Sequence, residues 1–185
     1  MTEGSLAPTL LLAMPQMQDP HFARSVVLLC RHERDGAMGL IVNRPTETRV
    51  SEVVEFGTPP RHDNGLQIWE GGPVDKRRGW LLIGYDPRSE EALHVTDQIY
   101  VSGSLDVLRH AVEGDAGAAH VSRFMLGYAG WGGGQLESEL AASAWLTVDV
   151  SYALVFDTAP EQMWETAIRS LGIDPYSLQL GGGVH

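Results

Sequence analysis

A glycine-rich stretch, residues 127–136, constrains the fold of this chain more than any other part of the sequence. Five of its ten residues are glycine, with Tyr128 and Trp131 among them. The apolar residues 121–126 precede it, and the helix-forming residues 136–144 follow it. This order predicts a strand, a tight glycine loop that turns the backbone sharply, and a helix. Such a loop either binds a ligand or only makes the turn, and the sequence leaves both alternatives open.

Apolar, β-branched and alternating segments predict a series of short strands. They fall at residues 9–13, 25–30, 36–42, 66–70, 79–84, 99–101, 145–150 and 154–156. Helices are predicted at residues 48–56, at 105–112 after the capping residue Ser104, and after a capping box formed by Thr158 and Glu161. Polar residues that end in Asp35-Gly36 predict a hairpin between the second and third strands. The sequence therefore predicts an α+β fold: a mixed, mainly antiparallel sheet curled into a barrel-like core, with three to four helices.

Length and cysteine content restrict the class of protein. A chain of 185 residues is expected to form a single domain, with flexible tails at residues 1–8 and 180–185. Cys30 is the only cysteine, so no intramolecular disulfide is possible and the zinc-binding spacings of cysteine are missing. No apolar run approaches the roughly 20 residues of a membrane span. We therefore expect a cytoplasmic protein without a metal and without a membrane anchor.

The charge of the chain argues against tight binding to duplex DNA. The net charge is −11, from 24 acidic and 13 basic residues, whereas DNA-binding proteins gain affinity by neutralising phosphates. The basic residues 76–78 are predicted to form a solvated turn. Expected partners are instead a protein or a small-molecule ligand, bound by a monomer or a weak homodimer.

The glycine stretch does not have the spacing of a nucleotide site. A phosphate-binding loop requires Gly-Lys-Ser/Thr, and the dinucleotide pattern requires a small residue at Gln135. Glu137 and Glu139 at the start of the following helix are expected to repel a phosphate. No cofactor is therefore predicted. Gly130 is predicted to adopt a positive φ as the chain leaves the strand.

Other candidate residues follow strand ends, where binding sites are common. Arg44 offers a planar set of donors for a carboxylate or phosphate, or else pairs with Glu47, Glu52 or Glu70. The complete candidate ligand or partner surface is Asp19, His32, Asn43, Arg44, Gly71, Gly72, Tyr128, Gly130 and Trp131.

His32, Glu33 and Asp19, with His21 nearby in sequence, are the only residues that suggest acid–base catalysis. Neighbouring residues of a strand point to opposite faces, however, and neither a serine elbow nor a metal signature accompanies them. A solvated hairpin tip is the alternative interpretation of His32 and Glu33.

Several segments together resemble the AlgH/YqgE family of bacterial proteins, over about residues 10–173. The resemblance rests on the segments 14–22 (MPQMQDPHF), 35–45 (DGAMGLIVNRP), 71–74 (GGPV), 126–131 (LGYAGW), 135–137 (QLE) and 144–146 (AWL). Arg44 and Gly133 depart from the lysine and proline that are common in the family. The resemblance implies a small α+β fold with a sheet bent into a barrel-like form.

The same resemblance implies little about activity, since one branch of the family carries a transcriptional-regulator label and no catalytic residues belong to the family as a whole. The first functional hypothesis is therefore a non-enzymatic binding or regulatory module. The alternative is a hydrolase or transferase that uses His32, Glu33 or Asp19.

Overall fold

Ten strands form one sheet in the computed structural model, which describes residues 4–17 and 19–181. They are β1 (Thr9–Ala13), β2 (Val26–Glu33), β3 (Gly36–Ile41), β4 (Pro45–Arg49), β5 (Gln67–Glu70), β6 (Val74–Ile83), β7 (Ala92–Thr96), β8 (Ile99–Ser102), β9 (Ser122–Gly132) and β10 (Trp145–Val148). The order across the sheet is β10-β1-β2-β3-β9-β6-β8-β7, with β4 and β5 attached to β9 as a branch. Only the β5–β9 pair is parallel among the described strand pairs. The predicted mixed, mainly antiparallel sheet is confirmed, and it curls into a half-barrel.

Helices cover the sheet at several places. They are α1 (Val50–Val53), α2 (Leu105–Glu113), α3 (Ala116–His120), α4 (Gln135–Ala141), α5 (Tyr152–Phe156), α6 (Pro160–Ser170) and α7 (Pro175–Gly181), and a 3-10 turn spans Pro20–Phe22. α1, α3 and α5 are single turns. The helices predicted at residues 105–112, at 136–144 and after Thr158 correspond to α2, α4 and α6, whereas no helix was predicted at α7. Ser104 caps α2 as predicted, because its hydroxyl accepts the backbone N–H of Val107 at 3.4 Å.

Residues 10–13 of β1 and 26–29 of β2 form continuous apolar runs because both faces of the sheet are buried there. In β1, Leu10 and Leu12 join one hydrophobic cluster, whereas Leu11 and Ala13 join a second cluster on the opposite face. The predicted hairpin between β2 and β3 is confirmed, since Glu33 pairs with Gly36 across a two-residue turn.

Four sequence-based assignments are wrong in type or extent. Residues 48–56 form the end of β4 and the single turn α1 rather than a longer helix. Residues 154–156 lie in α5 rather than in a strand. Residues 76–78 belong to β6, which begins at Val74, and not to a turn. Thr158 does not cap α6: the N-cap is Ala159, without a side-chain hydrogen bond, and Thr158 Oγ1 donates to the carbonyl of Ala153 at 3.1 Å.

The glycine-rich stretch is mostly strand. β9 continues to Gly132, and only the next two residues make the turn into α4. Gly130 pairs with Met38 of β3 in the ladder, so the prediction that it adopts a positive φ is wrong. Gly127 and Gly134 have positive φ values instead, +80° and +78°.

Three glycines allow two chain segments to cross in contact. β5 and β6 pair with opposite edges of β9 at the same residue, Phe124. The chain must therefore pass over β9 between the end of β5 and the start of β6. It does so at Gly71 and Gly72, where a Cβ atom would lie 2.3 Å from the carbonyl oxygen of Gly127 and 2.1 Å from the carbonyl carbon of Tyr128, respectively. The crossing has no room for side chains.

The largest hydrophobic cluster fills the concave face of the half-barrel. It contains residues of β1, β2, β3, β5, β6, β8 and β9 and of the helices α5 and α6. α5 covers one end, where a Cβ atom on Gly84 would meet the rings of Tyr152 and Phe156. α6 packs against the same cluster with Met163, Trp164, Ala167 and Ile168. These two helices close one end of the half-barrel and leave the other end open.

The chain ends only partly fall within the described residues. Leu6 donates its backbone N–H to His32, which joins the segment before β1 to the body of the protein. The tail expected from residue 180 overlaps α7, which extends to Gly181, and residues 1–3 and 182–185 lie outside the described part. Among the described helices, none is long and apolar enough to cross a bilayer.

Candidate functional site

A cleft of about 500 Å³ lies at the open end of the half-barrel. Its lining extends the concave core along four strands by the next residue on the same face. Cys30 lies two residues after Leu28, Met38 two before Leu40, Trp80 two before Leu82 and Val101 two after Ile99. The lining residues are Cys30, Arg31, Ala37, Met38, Arg78, Trp80, Leu93, Val101, Tyr128 and Trp131. We call this the open-end cleft. A volume of this size is within the ordinary range of roughly 300–1,000 Å³ for small-molecule sites.

A β-bulge at Cys30 decides which side chains of β2 reach the cleft. Leu29 pairs with Gly39, but the next pair is Arg31 with Met38, so Cys30 is an extra residue in the ladder. An extra residue reverses the alternation of faces beyond it. Arg31 therefore lies on the cleft side beside Met38, and His32 lies on the opposite face beside Ala37.

A second irregularity, at Gly127, has the same effect on β9. Met125 packs in the concave core and Leu126 on the outer face. Strict alternation would then direct Tyr128 outward, yet it packs against the concave core. The positive φ of Gly127, +80°, provides the local change of direction. The sequence feature that first suggested a loop thus places Tyr128 in the cleft.

The walls of the open-end cleft are largely aromatic and apolar, and two cations lie among them. Trp80 and Tyr128 make an edge-to-face contact with ring centroids 6.4 Å apart. The guanidinium of Arg78 lies 4.5 Å from the ring centroid of Trp80. Within the described part of the chain, neither Arg31 nor Arg78 forms an ion pair with a carboxylate.

Cys30 provides no nucleophile in this cleft. Its Sγ contacts the carbonyl oxygen of Leu28 at 3.5 Å, and burial raises the pKa of its thiol to about 12. Because the thiolate is the reactive form, Cys30 contributes a small apolar surface at neutral pH.

Asp19, Asn43 and Arg44 lie near one another and away from the open-end cleft. Their side chains form hydrogen bonds with backbone groups. Asn43 accepts the N–H of Val26 at 3.0 Å and donates to the carbonyl of Arg24 at 3.1 Å. Arg44 donates to the carbonyls of His21 and Ala23, so its expected pairing with Glu47, Glu52 or Glu70 is wrong. Asp19 accepts from the backbone and the ring of His21, and the backbone bond is the main reason that the pKa of Asp19 is lowered. These contacts fasten the 3-10 turn to the end of β3.

His32 is a buried structural residue, so its interpretation as part of a solvated hairpin tip is wrong. It is 8% exposed. Its Nδ1 accepts the backbone N–H of Leu6 at 3.0 Å, which leaves the ring proton on Nε2, and Nε2 donates to the carboxylate of Glu137. None of the hydrogen bonds among the described residues joins His32, Glu33 and Asp19, so the proposed acid–base group is not assembled.

We expect the His32–Glu137 contact to produce a pH-dependent part of the stability. The hydrogen bond from His32 is the main cause that lowers the pKa of Glu137. A carboxyl with a lowered folded-state pKa stabilises the fold above its unfolded pKa of about 4.3, and this contribution is lost as the pH falls through the folded value. The Glu137→Gln variant should therefore unfold more easily than the wild type near neutral pH, and the difference should shrink below about pH 4.

Urea unfolding across this pH range measures the effect. Glu33→Gln is the matched control, because Glu33 is exposed next to His32 and makes no side-chain hydrogen bond among the described residues. A difference between Glu137→Gln and the wild type that stays constant with pH would contradict the assignment.

The structure brings together only part of the predicted surface. Tyr128 lines the open-end cleft with its ring, whereas Trp131 borders the cleft and its ring packs against Trp145 in the cluster on the opposite face. The exposed Gly130 pairs with Met38 at the cleft. Gly71 and Gly72 lie at the crossing that holds β9 in place. The predicted surface omitted Arg31, Met38, Arg78 and Trp80. The i, i+2 spacing of Arg78, Trp80 and Leu82 is the signal in the sequence that would have placed Arg78 on the cleft side of a strand.

A smaller groove of about 320 Å³ lies beside β5, with Thr46, Thr48, Val53, Trp69, Glu70 and Lys76 among its lining residues. We call it the β5 groove. Residues 4–17 and 19–181 contain no group of three or more His, Cys, Asp or Glu side chains placed to hold a metal ion.

Comparison with known proteins gives a consistent result. A family model described as AlgH-like (DUF179) matches residues 10–176. A UPF0301 protein of Jannaschia sp. (strain CCS1) is 44% identical over 183 residues, which are 96% of this chain and 94% of the relative. A UPF0301 protein of Vibrio cholerae is 38% identical over 180 residues, 94% of this chain and 95% of the relative. These names describe no enzymatic activity.

Solved structures agree with the fold. The solution structure of the AlgH protein from Pseudomonas aeruginosa superposes with a TM-score of 0.74 at 36% identity and covers 100% of this chain and 98% of that one. The crystal structure of protein DIP2367 from Corynebacterium diphtheriae gives a TM-score of 0.71 at 20% identity, over 94% of this chain and 90% of that one, which supports the fold alone. The match of the family model over nearly the whole chain and the close relatives together establish that this chain belongs to the AlgH-like family.

Proposed function

We propose that the protein is a non-enzymatic binding module that takes up a small, largely apolar molecule in the open-end cleft. The observation that carries this proposal is a cleft of about 500 Å³ with the aromatic side chains of Trp80 and Tyr128 in its wall. Apolar and aromatic walls with a few polar groups are typical of ligand sites. The presence of one cysteine and the acidic net charge are consistent with a cytoplasmic protein. In this proposal the protein acts as a monomer or a weak homodimer.

Binding is favoured over catalysis by the chemistry of the lining. The ten lining residues include no His, Asp or Glu, which are the usual general acids and bases. The thiol of Cys30 is protonated at neutral pH because burial raises its pKa to about 12. The residues that had suggested acid–base chemistry, His32 and Asp19, are engaged in contacts elsewhere.

The test uses N-phenyl-1-naphthylamine, a neutral apolar dye whose fluorescence rises when it leaves water. Titration should give saturable binding with one site per chain, and Trp80→Ala or Tyr128→Ala should weaken it. Val53→Ser is the matched control, because Val53 is 54% exposed and lines the β5 groove instead. Absence of saturable binding overturns the assignment of the cleft. So does a result in which Val53→Ser loses dye binding while Trp80→Ala keeps it.

We expect no tight binding of the protein to duplex DNA at physiological salt. The net charge is −11, and the basic residues 76–78 lie on a strand whose register is irregular rather than on a helix that could enter a groove. Fluorescence anisotropy with a labelled duplex measures this. Sub-micromolar affinity with a steep salt dependence would contradict the expectation.

A further inference from the structure

We propose that the molecule bound in the open-end cleft is a small aromatic anion, with its charged group at Arg31 and Arg78 and its flat body against Trp80 and Tyr128. This proposal rests on the proposed function, because it names the chemical class of the ligand for the same cleft.

The sign of the charge in the cleft is opposite to that of the chain. The protein has 24 acidic and 13 basic residues, yet the lining of the cleft contains two arginines and no carboxylate. The four ion pairs among the described residues include neither arginine. The two guanidiniums thus create a local positive region that is complementary to an anion. Neither is already paired with a carboxylate of the described residues.

The backbone irregularities of the site support a built arrangement of these arginines. Arg31 reaches the cleft side only because Cys30 is an extra residue in β2. Arg78 lies within the irregular stretch of β6 between Val74 and Gly79, and its alternation with Trp80 places it on the cleft side. Bulges commonly re-aim side chains next to binding sites, and the bulge at Cys30 brings Arg31 to the cleft that Arg78 also lines.

The geometry of Arg78 also indicates the shape of the ligand. Its guanidinium lies 4.5 Å from the ring centroid of Trp80, which places a group that can bind a planar carboxylate beside the aromatic wall. Trp80 in turn meets the edge of Tyr128. An aromatic ring in the cleft can contact these faces and edges while its acidic group reaches the arginines.

Displacement of the neutral dye separates this proposal from the proposed function. 2-Naphthoate and 2-naphthalenemethanol share a ring system and differ in charge. The carboxylate should displace N-phenyl-1-naphthylamine at about tenfold lower concentration than the alcohol, and this preference should decline as salt is added.

The arginine variants assign the preference to residues. Arg31→Gln and Arg78→Gln should each reduce the affinity for 2-naphthoate about fivefold or more and reduce the affinity for the alcohol much less. Arg77→Gln is the matched control, because Arg77 is the neighbour of Arg78 on the exposed part of β6 and does not line the cleft.

The outcomes distinguish failure of this proposal from failure of the proposed function. If the dye binds but the two competitors displace it equally, the anionic class is wrong while the proposed binding of apolar molecules stands. If the preference for 2-naphthoate persists in the double variant Arg31→Gln, Arg78→Gln, the charged group binds elsewhere and the proposal is overturned. If the dye does not bind, both proposals fail.

Discussion

Replacing Gly72 with alanine is expected to prevent the protein from folding stably. An added Cβ atom would lie 2.1 Å from the carbonyl carbon of Tyr128 and 2.3 Å from its oxygen, and both are backbone atoms. The φ of Gly72 is +153°, where residues with a side chain are strained. Relief of these contacts requires separating β9 from the crossing segment. We expect a loss of about 4 kcal/mol or more, which is a large part of the roughly 5–15 kcal/mol that stabilises a domain.

Gly130→Ala is the matched control. Gly130 lies in the same strand as Gly127, but its Cβ atom would meet nothing closer than 3.5 Å, the ring of Tyr128. Its φ is not positive, so alanine should change the free energy of unfolding by about 1 kcal/mol or less. Guanidinium unfolding and the yield of soluble protein measure both variants. Equal unfolding curves for Gly72→Ala and the wild type would show that the two segments do not cross in contact.

The sequence predicts the centre of the sheet well because local pattern and burial agree there. Residues 10–13 are apolar, and their strand is buried on both faces. The hairpin at Asp35-Gly36 combines turn residues with two apolar runs. Prediction fails where pairing overrides local preference. β9 continues through the glycine-rich stretch because β3 and β6 pair with its two edges, and no local signal reports that support.

The candidate site was only partly predictable for a related reason. Tyr128 and Trp131 stand out as large aromatics among glycines; Tyr128 lines the cleft and Trp131 borders it. Arg31 reaches the cleft because the register shifts at Cys30, which depends on the partner strand β3. Such a shift reverses inside and outside for every later residue of the strand. Strict alternation along β2 alone would place Cys30 and His32 on the cleft side of the strand. It would place Arg31 on the opposite side.

Alanine substitutions of two tryptophans, Trp164 at the closed end of the half-barrel and Trp80 at the open end, are expected to have large and different effects. Trp164 is 2% exposed, and its Nε1 donates to the carbonyl of Ala13 at 2.8 Å. Trp80 is half-buried in the wall of the open-end cleft, and its Nε1 has no partner among the described residues. Trp164→Ala should therefore cost about 3–5 kcal/mol, because it opens a cavity in the core and leaves the Ala13 carbonyl without its donor.

Trp80→Ala should cost less than about 2 kcal/mol, since less of its surface is removed from water on folding, but it should weaken binding of N-phenyl-1-naphthylamine strongly. The Trp164→Ala variant, studied at a temperature where it is folded, should bind the dye like the wild type, because its cavity lies at the closed end. Chemical unfolding and dye titration of both variants give a crossed result: one loses stability and the other loses binding. A large stability loss in Trp80→Ala with unchanged dye binding would mean that Trp80 belongs to the core and that the cleft is not the site of uptake.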